Sequence, residues 1–274
     1  MKTSYELTNT YGRSPATTAK VMCNKIVYSL ARSVLKPPPK GWLHSHWHWF
    51  RSPFSLRHQV LWSKPLHAWF RPEDESALEC MLHLPSYEPV DWAAPKAGDV
   101  FLDIGAYIGW YTIQASRGVG PSGRVIALEP DATNRRQLEN NISLNGLTNC
   151  STVPKAAWEH NEKIGWHSSA VPVWHKADMD ERANLVQAIT IDSLVNELQL
   201  KRVDWIKMDI EGAEIEALRG AKQTLESFNP VLFIEVHETM ELLTRLLGQS
   251  GYRIELATFD QPPDNHGWIV ARRS

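Results

Sequence analysis

The sequence predicts an α/β protein: an open sheet of seven strands, mostly parallel with the last strands antiparallel, with helices on both faces and a basic, aromatic N-terminal extension. Three observations lead there. From residue 99, short apolar runs alternate with amphipathic helical stretches, the pattern of a parallel sheet covered on both sides. The last two apolar runs have no helix between them, so they should pair antiparallel. Composition changes sharply near residue 72. No Asp or Glu occurs from residue 7 to 72, where ten Lys and Arg, five His and five Trp stand; residues 73–274 hold 18 Lys and Arg against 30 Asp and Glu. The expected division is an extension over 1–72 and a domain over 73–274.

In the extension, "KVMCNKIVYSLARSVLK" (20–36) reads as an amphipathic helix. Met22, Ile26, Leu30 and Val34 recur every fourth residue with the cations mostly off that stripe, and three prolines at 37–39 end it. Such a helix packs on its own body, on another subunit of a homo-oligomer, or on a membrane surface; burial against protein is the expectation. In "GWLHSHWHWF" (41–50), His44, His46 and His48 fall at period two and share one face of a strand, with no carboxylate or Cys nearby to complete a metal site. "RPEDESALECMLHL" (71–84) reads as a helix with acids in its first turn.

In the body, "DVFLDIG" is the first strand, with a helix following from about Ile108 to Arg117. "GRVIALEP" is the second strand, and "DATNRRQLENNISLNG" a helix with Asp131 as N-cap and Gly146 as its stop. "STVPKAAW" is the third. Residues 159–188 read as a hairpin or loop insertion. "ITIDSLVNEL" gives a short strand and a helix, "VDWIKMDIEG" a strand, and "AEIEALRGAKQTL" a single helix. "PVLFIEVHE" is a buried strand, "TMELLTRLLGQSG" a helix, and "YRIELAT" and "GWIVARR" the closing pair.

Composition narrows the function. No run of 18 apolar residues exists to span a membrane, and the first ten residues lack the apolar core of a secretory signal. Cys23, Cys80 and Cys150 are too far apart for a disulfide framework or a zinc site. A cytoplasmic protein is expected. The extension's cations and tryptophans would suit RNA, but a whole-chain pI near 6.6 argues against a nucleic-acid partner.

The most informative stretch is "VFLDIGAYIGWYT" (100–112). In an open α/β sheet, ligands sit at the carboxyl ends of the strands where the strand order reverses. A dinucleotide fold would place closely spaced glycines there, so that backbone amides receive a pyrophosphate. This turn has Gly105 and Gly109 four apart, crowded by Tyr107 and Ile108, with Asp103 just before it. Negative charge repels pyrophosphate and suits the ammonium of an amino-acid moiety. Glu129, 26 residues beyond Asp103 and after the second strand, is placed to accept both hydroxyls of a ribose. A nucleoside carrying an amino acid, S-adenosylmethionine, fits both.

With these residues in view, the sequence resembles the FkbM family of S-adenosylmethionine-dependent methyltransferases, from about Tyr87 to residue 237. The matching segments are "DIGAYIGWYT", "ALEPD", "LENNISLNG", "KAAW", "ITIDSL", "IKMDIEGAEIEALRGA" and "PVLFIEVH", and K-x-D-x-E-G-x-E (Lys207 to Glu214) is the most specific. Tyr107 and Trp110 depart from the family's usual Asn and smaller aromatic. The resemblance implies a Rossmann-like methyltransferase fold and O-methylation of a sugar, glycan or natural-product hydroxyl. It implies that Asp103, Gly105 and the Ala106–Gly109 backbone, Tyr107 included, hold the methionine part. Glu129, followed by Pro130, would hold the ribose with Asn134 beside it. Ala156 and Ala157 would pass under the adenine, and Asp209 would face the methyl group.

Methyl transfer to a hydroxyl needs alignment and a base. Asp209, Glu211, Glu235 and His237 fall at the carboxyl ends of the fourth and fifth strands and are the candidates, with Lys207 beside Asp209. Each also has a plainer reading: Lys207 pairs with Asp209, Glu211 caps the next helix, Glu235 needs a partner to stay charged, and His237 bonds a backbone carbonyl. Asp209, Glu235 and His237 are alternatively ligands for a divalent metal that binds the acceptor hydroxyl. A non-catalytic binding module on the same fold is the remaining alternative, and the intact Asp103, Gly105, Glu129 and Asp209 argue against it.

Overall fold

The structure, a computed structural model, describes residues 10–23, 56–64, 66–74, 77–78, 80–81, 89–167, 176–178, 184–259 and 266–273. The chain divides into two compact units, Met1–Tyr87 and Glu88–Ser274. No helix among the described residues is long and apolar enough to cross a membrane.

In the first unit, β1 (Thr10–Gly12), β2 (Leu61–Ser63) and β3 (Ala68–Phe70) form an antiparallel sheet in that order. Trp62 and Trp69 meet edge to face on β2 and β3, 5.1 Å between ring centroids. Residues 15–23 are helical. The helix therefore starts before the expected position 20, because Ser14 accepts a hydrogen bond from the Thr17 amide and Pro15 suits the first turn. Its buried residues are Thr17 and Val21, while Met22 is 57% exposed. The expected burial of a stripe beginning at Met22 is thus corrected at that residue: the inward face is one position earlier. Ile26, Leu30 and Val34, and His44, His46 and His48, lie outside the described residues. The expected helix after Pro72 is seen at residues 77–78 and 80–81, where Asp74 accepts from the Ala77 amide.

The second unit is built on β4 (Val100–Ile104), β5 (Arg124–Leu128), β6 (Cys150–Val153), β11 (Trp205–Met208), β12 (Val231–His237), β13 (Tyr252–Phe259) and β14 (His266–Arg273). They form one sheet in the order β13-β14-β12-β11-β4-β5-β6. Only β14 runs against the rest: it pairs antiparallel with both β12 and β13. From β4 the chain proceeds outward through β5 and β6, then returns to β11 on β4's other side. The carboxyl end of β4 is therefore the point where the order reverses.

One sheet face carries Leu102, Ile104, Ile126, Leu128, Ile206, Met208, Leu232 and Ile234 into the main core. The alternate residues carry Phe101, Phe233 and Trp268 to the other face, where Phe233 stacks on Trp268 at 4.4 Å. Asp103 and Lys207 alternate onto that same face and stand directly opposite each other across β4 and β11.

Pro154 ends β6, so the stretch expected as one strand is two. β7 (Ala156–Ala157) pairs parallel with β10 (Asn184–Ile189) in a second sheet of order β7-β10-β8-β9. That sheet includes β8 (Lys163–His167) and β9 (Lys176–Asp178), which form the expected hairpin. The helices are α1 (Trp110–Val119), α2 (Ala132–Leu144), α3 (Ile191–Glu197), α4 (Glu214–Arg219), α5 (Lys222–Phe228) and α6 (Met240–Gln249). Asp131 caps α2 as expected, accepting from the Thr133 and Asn134 amides.

The helix expected over 213–225 is instead two, broken at Gly220. A Cβ there would lie 2.2 Å from the Trp158 carbonyl oxygen. The second piece, α5, is capped from a distance: the Asp192 carboxylate accepts from the Gln223 and Thr224 amides at 2.9 and 2.7 Å. Asp192→Ala should lower stability by about 1–2 kcal/mol, the worth of a strong cap. Urea denaturation measures it, and a loss under about 0.3 kcal/mol would show the cap to be dispensable.

Candidate active site

The turn after β4 is held by its own backbone. The Gly105 and Ala106 amides both donate to the Leu128 carbonyl, at 3.1 and 3.0 Å. The Tyr107 amide donates to Glu129 Oε2 at 2.9 Å, and the Gly109 amide to the Ala106 carbonyl. From α2, Asn141 donates to the Ile108 carbonyl at 2.9 Å. Four of the turn's amides are thus engaged within the protein. They do not form the cradle of free N–H donors that a pyrophosphate requires.

Gly105 has φ +76°, and a Cβ on it would lie 1.9 Å from the Asp209 carbonyl oxygen. The first strand's turn therefore rests directly on the backbone that ends the fourth strand of the parallel set. Tyr107 and Glu211 also have positive φ, +49° and +55°. Left-handed non-glycine residues are strained and gather at functional sites.

Glu129 sits just past β5, buried, with Oε2 on the Tyr107 amide and Oε1 on the Asp131 amide. Burial pushes its carboxyl up to about 8, against the opposing pull of those two amides. Asn134, in the first turn of α2, is buried. Ala156 and Ala157, buried on β7, follow the edge strand β6.

Lys207 is 2% exposed. Its ammonium lies 3.5 Å from Asp103 and 3.7 Å from Asp209, donates to the Gly105 carbonyl at 3.0 Å, and sits over the Tyr111 ring. Asp103 is fully buried and also accepts from the Thr112 hydroxyl. The cross-strand register turns the Asp103 carboxylate onto Lys207. Lys207 is enclosed beneath the turn, between the Gly105 carbonyl and Asp209.

The ends of β11 and β12 bring four expected residues together. His237 Nδ1 is 3.0 Å from Glu214 Oε1, and its Nε2 is 3.5 Å from Glu211 Oε2. Asp209 is hydrogen-bonded to Glu235, and Glu235 to His266 Nε2 at 2.8 Å. Burial raises the Asp209 carboxyl, but Lys207, the bond with Glu235 and the two imidazoles together hold it below the usual carboxylate range. Burial lowers His237, but Glu214, Asp209 and Glu211 outweigh it and hold the imidazole above its ordinary value.

Sequence reasoning missed Glu214 and His266. Glu214 lies within K-x-D-x-E-G-x-E, and its spacing before an apolar run was the available signal. It reaches back to the Gly212 amide at 3.0 Å, the role expected of Glu211, which instead faces His237. His266 stands opposite His237 because β14 pairs antiparallel with β12.

The "Methyltransferase FkbM domain" family model matches residues 103–254, more than half of the chain. The chain belongs to the FkbM methyltransferase family. Methyltransferase sdnD of Sordaria araneosa is 25% identical over 222 residues, covering 67% of this chain and 85% of that protein. Hexuronic acid methyltransferase AglP of Haloferax volcanii is 26% identical over 182 residues, covering 64% and 71%. A solved FkbM methyltransferase from Methylobacillus flagellatus KT superposes with a TM-score of 0.50 at 19% identity, over 73% of this chain and 55% of that one. The match to FkbM begins at Asp103 and contains the glycine turn, Glu129 and the whole of Lys207 to Glu214.

Proposed function

We propose that this chain is an S-adenosylmethionine-dependent O-methyltransferase acting on a hydroxyl of a sugar or other small molecule. The observation that carries the reading is the edge shared by Glu129, the Gly105 turn and Asp209. Tyr107 ties the turn to Glu129, and Gly105 rests on Asp209, so the three are held as one surface. The residues fit the cofactor's chemistry. Glu129, whose carboxyl oxygens keep hydrogen-bonding capacity beyond the Tyr107 and Asp131 amides, provides partners for a ribose diol. With its amides engaged, the turn offers the second lone pairs of its carbonyl oxygens, which suit an ammonium. Asn134 and the Ala156–Ala157 backbone flank the nucleoside side.

Bound there, S-adenosylmethionine supplies a methyl group on a sulfonium sulfur, which keeps the electron pair of the broken bond. The chain's residues align the acceptor and take the hydroxyl proton. That proton passes to the cluster of Asp209, Glu211, Glu235 and His237, a step typically worth about 10²–10⁴-fold. A sugar hydroxyl is the acceptor class favoured by the relative named for hexuronic acid.

Glu129→Ala should weaken S-adenosylmethionine binding by about 1–3 kcal/mol, the cost of leaving buried ribose hydroxyls without their hydrogen-bond partner. Isothermal titration calorimetry with a folded mutant is the measurement. Unchanged affinity would remove the ribose assignment. Transfer of labelled methyl to glycans with and without hexuronic acid then tests the acceptor class.

A further inference from the structure

We infer that Asp209, Glu211 and His237 hold a divalent cation of the manganese or magnesium class. Its role rests on the methyl-transfer reading; its existence does not. One donor atom from each of the three residues falls within 4.8 Å of the others. They come from three places in the chain: the end of β11, the turn before α4, and the end of β12. Two carboxylates and one imidazole, with no thiolate, suit a hard or borderline ion.

The orientation of His237 is the deciding feature. Glu214 is fully buried, and its Oε1 takes the Nδ1 side of the ring. The ring is thereby fixed with Nε2 toward Glu211 Oε2, 3.5 Å away. A divalent cation bound between them would take the place of the Nε2 proton that otherwise joins the ring to Glu211. Glu211 adopts its left-handed backbone at this same place.

The surroundings match the outer support of a metal centre, in which each ligand is held by a second group. Glu214 holds His237, and Glu235 holds Asp209. His266 in turn holds Glu235. A competing triad of Glu235, His237 and His266 shares the same imidazole. There the 2.8 Å bond between His266 and Glu235 already joins two of the three donors, so the Asp209 triad is favoured. An ion on it would bind the acceptor's hydroxyl oxygen and make its proton easier to remove. Glu235 and His266 lie next to this triad, and His266, 40% exposed, offers the proton a route to solvent.

The test is titration of Mn²⁺ into chelator-stripped full-length protein, with free Mn²⁺ followed by electron paramagnetic resonance. One saturable site per chain is expected. Asp209→Asn and His237→Ala should each weaken it more than about 100-fold, and Glu214→Gln by about 10–100-fold. Glu129→Ala should leave it unchanged. S-adenosylmethionine titrated into the metal-free protein reports separately on the cofactor site, so failure of either reading shows by itself. Circular dichroism establishes that each variant is folded, and Glu211→Gln stands in for any that is not. No saturable binding up to about 1 mM metal, or a site that persists in folded Asp209 and His237 variants, would overturn the inference.

Discussion

Lys207→Met should lower the unfolding free energy by about 3–5 kcal/mol, the cost of breaking a buried ion pair from one side. Methionine approximates the volume and the alkyl stem, so packing on Tyr111 is largely kept. What is lost is the only cation near Asp103 among the described ion pairs, in a place where that carboxylate has no access to water. The Gly105 carbonyl loses its donor at the same stroke. The double variant Asp103→Asn with Lys207→Met should recover a large part of the loss, because no isolated charge then remains buried. Urea denaturation followed by tryptophan fluorescence measures both. A single variant that loses under about 1 kcal/mol would show that Asp103 finds other compensation.

Gly105→Ala should be nearly as damaging, at about 3 kcal/mol or more. Two costs combine: a left-handed backbone conformation imposed on alanine, and a methyl group forced into the Asp209 carbonyl. Relief requires moving either the turn or the end of β11, and both border the proposed cofactor surface. S-adenosylmethionine binding should fall with stability, by more than about 100-fold. Gly212→Ala is the informative control. Its φ is +100°, yet nothing stands within 4 Å of the added Cβ. It should cost only the conformational part, about 1–2 kcal/mol. Equal losses at the two glycines would show that the contact with Asp209 contributes nothing.

The sheet was legible because parallel strands buried on both faces read as unbroken apolar runs, and because helices separate them. Asp131 and Gly146 marked α2 by local chemistry alone. Where an element depends on distant partners, the sequence was silent. The break at Gly220 is imposed by the Trp158 carbonyl, and the new helix start is capped by Asp192, about thirty residues upstream. Pro154 was visible but its consequence was not: the residues beyond it belong to another sheet, a fact set by β10. In the site, strand-end position puts Asp209, Glu235 and His237 at one edge of the sheet, but the candidate metal-donor atoms that meet are those of Asp209, Glu211 and His237 and, separately, of Glu235, His237 and His266. Their partners came from register. Lys207 meets Asp103 because the two are cross-strand neighbours, and His266 meets His237 through an antiparallel pairing that no spacing reveals. Glu214 lay within the quoted motif, but that it turns back onto both Gly212 and His237 is a property of the folded turn.

The reversed direction of β14 has a practical consequence. Every parallel strand presents its final residues at the site edge, whereas β14 presents its first, His266. Its other end, Arg273, pairs with Tyr252 at the start of β13, on the far edge of the sheet. A tag or surface linkage joined after residue 274 would therefore be anchored at the end of the second unit's sheet opposite the proposed site. An insertion before His266 would instead fall beside that site.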